Sequence, residues 1–119
     1  MTSRSDRQMT NDAAQRQTSF GLSAATINKI NQVLVGFPEV DQAKIYGSRA
    51  KGSYRHGSDI DLTLFGAHLD QRQCAEIADQ LDDLLLPYKI DLSVFHLLDH
   101  ADLKEHIERV GKVFYQKEK

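Results

Sequence analysis

Apolar and polar residues alternate between Asp59 and Phe65, with Ile60, Leu62 and Leu64 on one side and Asp59, Asp61 and Thr63 on the other. A period of two is the signature of a strand with one packed face. Ile90, Leu92 and Val94 alternate with Asp91 and Ser93 in the same way, and Ala43-Lys44-Ile45-Tyr46 reads as a short strand running into Gly47-Ser48. Elsewhere the spacing is helical. Ile27, Ile30, Val33 and Leu34 share a face behind Ser23 as N-cap, and Phe37-Pro38 ends that helix near Gly36. Cys74, Ile77, Ala78, Leu81, Leu84 and Leu85 form a second helical face, with Asp70 as cap, Gln73 in capping-box position and Pro87 as the stop. Leu103, Ile107 and Val110 mark a third helix, capped by Asp99 and closed by Gly111. A helical turn around Arg49 to Tyr54 precedes a turn at His56-Gly57, and Val113-Phe114-Tyr115 is a candidate edge strand. The order α-β-α-β-α-β-α predicts an α/β (α+β) domain, a small sheet flanked by helices.

Residues 1–20 break this pattern. They are polar, with hardly an apolar anchor, and read as a disordered or late-ordering tail ahead of a domain over 21–119. A chain of 119 residues with 40% hydrophobic content suits one modest core. With 15 Lys+Arg against 17 Asp+Glu the formal charge is −2, which argues against gripping a nucleic-acid backbone by broad electrostatics. No apolar run is long enough to span a membrane, and Met1 to Phe20 lacks the apolar stretch of a secretory signal. Cys74 is the single cysteine, which suits a reducing compartment, so a cytoplasmic location is expected.

The chemistry concentrates between Gly47 and Leu62. Period two puts the Asp59 and Asp61 carboxylates on one strand face, where like charges repel. Such a pair makes sense beside a cation, and hard oxygen ligands suit Mg²⁺. Asp91 has the same setting between Ile90 and Leu92. If its strand is a neighbour, three carboxylates converge, a donor set for two divalent ions and in-line phosphoryl or nucleotidyl transfer. Gly47-Ser48 stands at a strand end before a helical turn, where a backbone without Cβ and a hydroxyl donor can approach phosphate. Arg49, Lys51 and Arg55 supply cations for a triphosphate.

Gly47-Ser48, ten residues, then Asp59-Ile60-Asp61 resembles the signature of the DNA polymerase beta-type nucleotidyltransferase superfamily, with Asp91 matching its third carboxylate. The wording Gly47-Ser48-Arg49-Ala50-Lys51-Gly52 is similar to that of the minimal nucleotidyltransferases, or MNT proteins, and the resemblance extends over about residues 22–115. It implies a mixed sheet, catalytic and metal-binding roles for Asp59, Asp61 and Asp91, and a nucleotide, ATP, held at Gly47-Ser48. It further implies Mg²⁺, as two ions for which Mn²⁺ can substitute. As partner it implies a HEPN-like toxin or a substrate-binding protein encoded nearby, the toxin being silenced by adenylylation of a tyrosine.

Blander explanations stand beside these. Ser53 and Ser58 read as turn residues, Cys74 as core, Asp82-Asp83 as an exposed helix patch and Leu84-Leu85-Leu86 as core. The five histidines lack a zinc spacing; His56 lies near enough to the motif to touch phosphate, and the other four read as surface residues. A small-molecule nucleotidyltransferase, which needs a pocket formed by dimerisation, and an antitoxin acting by contact alone are the alternatives to protein adenylylation. Homo- or hetero-oligomers are compatible with all three, and no direct nucleic-acid or membrane binding is expected.

Overall fold

A computed structural model describes residues 18–118, so most of the polar tail expectation, through residue 17, lies outside the described residues. The last residues of that stretch already belong to the domain. Thr18–Ser19 (β1) pairs antiparallel with Leu22–Ser23 (β2), and Leu22 is completely buried. Then follow Ala24–Val35 (α1), Gln42–Tyr46 (β3), Ser48–Lys51 (α2), Ile60–Phe65 (β4) and Gln71–Asp82 (α3). Ile90–Val94 (β5), a 3-10 turn over Phe95–Leu97, Ala101–Val110 (α4) and Lys112–Gln116 (β6) complete the chain. Among the described residues no helix is long and apolar enough to cross a membrane.

β5, β4, β3 and β6 form one mixed sheet in that order. β3 runs antiparallel to β4 and β6, and β4 runs parallel to β5 across the α3 connection. The alternation read from the sequence decides which face is dry. Ile60, Leu62 and Leu64 are fully buried together with Ala43 and Ile45 of β3, and Ile30, Leu34, Ile77 and Leu81 of α1 and α3 close over them. The edge strand at Val113 is present, extended by one residue at each end.

The opposite face is only partly covered. α4 sits on it through the buried Ile107 and through His106, whose ring meets Tyr46 edge-on at 6.4 Å between centroids. Phe65 and Phe95 stack at 4.8 Å further along, with Lys44 and Lys104 over their rings.

Helix ends follow local chemistry. Ser23 Oγ accepts from the Thr26 amide at 3.1 Å, and Asp70 Oδ1 accepts from the Gln73 amide at 2.8 Å. Two details depart from the sequence reading. His100, rather than Asp99, caps α4, because its Nδ1 accepts the Leu103 amide at 3.1 Å and the helix begins one residue later. α3 ends at Asp82 instead of reaching Leu85: amides of Leu84 and Leu85 bond to Leu81 and Asp82 in tight turns, and Leu85 sits at φ 55° and 87% exposed. Leu84 and Leu86 are half-buried, so only two of the three leucines serve the core.

This two-faced sheet gives a stability contrast. Ile45→Val removes one buried methyl group and should cost about 1 kcal/mol, or about 4–8 °C in Tm for a domain of this size. Val113→Ala on β6, half exposed at 50%, should change stability by less than about 0.5 kcal/mol. Thermal melts of the two variants decide it, and equal losses would contradict the assignment of the dry face.

Candidate active site

Strand pairing brings the predicted acids together. Asp61 on β4 stands opposite Asp91 on β5 and, on its other side, opposite Tyr46 on β3. Asp59 lies one residue ahead of β4, exposed, as is Asp91, while Asp61 is half-buried. The Asp61 carboxyl is held above its ordinary range, first by burial and then by the charges of Asp91 and Asp59. Arg49 and His106 pull it the other way. The three acids therefore share one electrostatic patch.

Gly47 fits against this patch. Its backbone, φ 74° and ψ −152°, lies in a region essentially reserved for glycine. A Cβ built there would stand 2.5 Å from Asp61 Oδ2. The missing side chain is thus what lets the β3–α2 junction close on the carboxylate. Ser48 opens α2 directly beyond it.

The three cations of the motif separate. Arg49 is 3% exposed and its guanidinium is committed to the protein. Nε and Nη2 donate to the Ser58 carbonyl at 3.1 and 2.7 Å, Nε reaches the Asp59 carbonyl at 3.3 Å, and Nη1 donates to the Phe20 carbonyl at 2.9 Å. This corrects the expectation that Arg49 faces a triphosphate: burial and carbonyl bonding leave it no free donor side toward solvent. Lys51 and Arg55 are exposed on α2 and in the following loop, free of ion pairs among the described residues. Ser58 is a turn residue as read, accepting the Arg55 amide at 2.8 Å, and Cys74 is buried.

The acids do not make a closed metal cage. Among the described residues no group of three or more His, Cys, Asp or Glu side chains stands ready to hold an ion. The donor chemistry fits an open site nonetheless: Mg²⁺ characteristically takes one or two carboxylates and completes its octahedron with water and substrate phosphates. An elevated Asp61 carboxyl beside two further acids is the arrangement a divalent cation would relieve.

Four neighbours were missed in the sequence. Tyr46 shares the face of Asp61, and its phenol is pushed up by burial, with a hydrogen bond to Ser93 opposing and the charges of Asp61 and Asp91 adding. Ser93 Oγ donates to Thr63 Oγ1 at 2.9 Å, and Thr63 is completely buried. The same period of two that singled out Asp61 and Asp91 places Thr63 and Ser93 two residues further along one face. His106 carries no such signal, since only packing of α4 brings it over Tyr46. His56 is exposed at its turn. A hollow of about 460 Å³ between Val35, Pro38, Tyr115, Lys117 and Glu118 lies toward the other end of β3, away from the acids.

Comparison with known proteins bears on family and fold. The family model described as Polymerase beta, Nucleotidyltransferase matches residues 28–119. A chain of a toxin-antitoxin complex crystallised with AMP-PNP is 26% identical, with a TM-score of 0.64 over 76% of this chain and 73% of that one. A chain of the complex of tri-AMPylated Shewanella oneidensis HEPN toxin with MNT antitoxin is 23% identical, with a TM-score of 0.60 over 78% and 71%, a likeness of fold. No curated protein matches the sequence.

The raised Asp61 carboxyl yields a pH prediction. An acid with a folded pKa above its unfolded value of 3.8 holds more protons when folded. Its ionisation therefore removes stability as pH rises from about 4 through the raised value, and the loss persists above it. Asp61→Asn, uncharged throughout, should melt higher than the parent at pH 7 in EDTA, with the gain shrinking toward pH 4. A gain that is absent at pH 7, or constant with pH, would contradict the shared acid patch.

Proposed function

The chain belongs to the polymerase beta nucleotidyltransferase family, and from that premise we propose that it transfers AMP from ATP to a tyrosine hydroxyl of a partner HEPN-type toxin. The observation that carries this reading is the register that sets Asp61 beside Asp91, with Gly47 closed against the Asp61 carboxylate. An acid patch on an open sheet face suits an acceptor delivered by another protein, with binding energy supplied by surfaces outside the site. The two structural relatives come from toxin-antitoxin complexes, one with an ATP analogue and one with an AMP-carrying toxin.

The chain's own groups divide the work as follows. Gly47 and Ser48 receive the phosphates where the backbone lies bare, and the exposed Lys51 and Arg55 offset triphosphate charge. Asp59, Asp61 and Asp91 would hold the divalent ions, Mg²⁺ or Mn²⁺, which supply charge neutralisation at the α-phosphate and the departing pyrophosphate. Asp91, exposed at the rim on β5, orients the incoming phenol and accepts its proton. The phenol oxygen bonds to the α-phosphorus, the bond to the bridging oxygen of pyrophosphate breaks, and the proton leaves through Asp91 to solvent.

Incubation with the product of the neighbouring gene, ATP and Mg²⁺, followed by intact mass measurement, tests the proposal. The partner should gain one or more AMP units, and Asp59→Asn or Asp61→Asn should add none while remaining folded. Asp91→Asn should lower turnover by orders of magnitude with little change in ATP affinity, measured by calorimetry. A partner that stays unmodified yet bound and inhibited by both parent and Asp59→Asn would make this a contact antitoxin. Labelling of small hydroxylated metabolites instead would make it a small-molecule transferase.

A further inference from the structure

We infer that Arg49 is a positioning residue that locks Asp59 in place and, through Phe20, makes the N-terminal β1–β2 hairpin part of the support of the acid patch. The inference rests on the transferase reading for its functional meaning, while the clamp itself is visible in the geometry. Asp59 precedes β4, so no strand pairing of its own fixes it. The peptide that follows it is pinned at both ends instead. Its carbonyl takes Arg49 Nε at 3.3 Å, and the Ile60 amide donates to the Lys89 carbonyl at 2.8 Å. With Ser58 held twice more by the same guanidinium, Arg49 is a shared anchor for the two residues at the entry to the Asp-x-Asp segment.

That anchor reaches three other parts of the chain. Its plane lies near the rings of Tyr54 and Tyr88, at 5.3 and 5.0 Å, and Tyr88 lies three residues before Asp91. Nη1 holds the Phe20 carbonyl in the β1–β2 turn. Gly21, at φ 75°, presses bare backbone onto the assembly: a Cβ there would stand 2.4 Å from Tyr54 Cε1 and 2.9 Å from Arg49 Nη1. The turn that joins β1 to β2 is therefore shaped to the clamp.

A buried charge without a carboxylate partner is costly, and among the described residues Arg49 has no ion pair within 4 Å. Neutral donors could tie carbonyls at less cost. What a fixed cation adds is a charge opposing the three acids, and a planar fork that serves several carbonyls at once. Lysine keeps the charge and loses the fork, which separates the two contributions.

The test measures Mn²⁺ binding in the presence of ATP, together with hydrogen exchange of the 58–60 amides, on the full chain. Arg49→Lys should raise the Mn²⁺ midpoint about tenfold and accelerate exchange at those amides. Gly21→Ala, which touches none of the acids, should do the same from the hairpin side. Tyr54→Leu, at a ring 37% exposed, is the milder form should either variant fail to fold. Ile45→Val, with its moderate loss of Tm, should leave both readouts unchanged, so general destabilisation cannot imitate the result. Unchanged midpoint and exchange in the folded variants would overturn the inference, as would an equal change in Ile45→Val. If the parent transfers no AMP yet the variants shift metal binding and exchange as stated, the clamp stands and the transferase reading falls.

Discussion

Parallel pairing of β4 with β5 concentrates negative charge at one end of the sheet, because it sets Asp61 directly beside Asp91 with Asp59 at the strand entry. Much of what surrounds that end answers this charge. Burial and the neighbouring acids work against ionisation of Asp61, while the Arg49 guanidinium and His106 work for it. Gly47 gives up a side chain so that the backbone can close on the carboxylate. A fold selected for stability alone would separate these acids. Keeping them together trades stability for a site with a strong demand for a cation.

The opposite face meets that demand mechanically. Leu62 lies between Asp61 and Thr63 and points the other way, into a core closed by α1 and α3. Each polar residue on the open face is thus held by an apolar neighbour in sequence. The strands supply rigid spacing, and α2, only Ser48–Lys51, supplies a sharp change of direction without a long loop. Precision at the acids comes from the dry side of the sheet.

What the sequence discloses about this molecule is whatever depends on local period. Alternation around Ile60–Leu64 and Ile90–Val94 gave the strands, the dry face and the position of Asp61 and Asp91, and Ser23 and Asp70 announced their helices. Gly-Ser at a fixed distance from Asp-x-Asp carried the family resemblance. What stayed hidden depends on tertiary packing. Arg49 looks like any cation beside a phosphate motif until Phe20, Ser58 and Asp59 are seen folded around it. His106 becomes relevant only because α4 lies across Tyr46. The cap at His100 is an imidazole nitrogen accepting the Leu103 amide, one residue beyond the acid that spacing singled out. The early residues Thr18–Ser23 escaped as a hairpin because two-residue strands carry almost no periodic signal.

The contrast among the three motif cations shows how one short segment serves two needs. Arg49 and Ala50 both turn into the protein, whereas Lys51 and Arg55 remain in water. A cation in water is screened and mobile, suited to a ligand that comes and goes. A buried one keeps its charge and direction whether or not ligand is present, so it can define geometry before binding occurs. Phosphate contact and preorganisation place opposite requirements on solvent exposure, and a single arginine cannot meet both. Two and six residues along from the buried charge of Arg49, the same segment carries the exposed charges of Lys51 and Arg55.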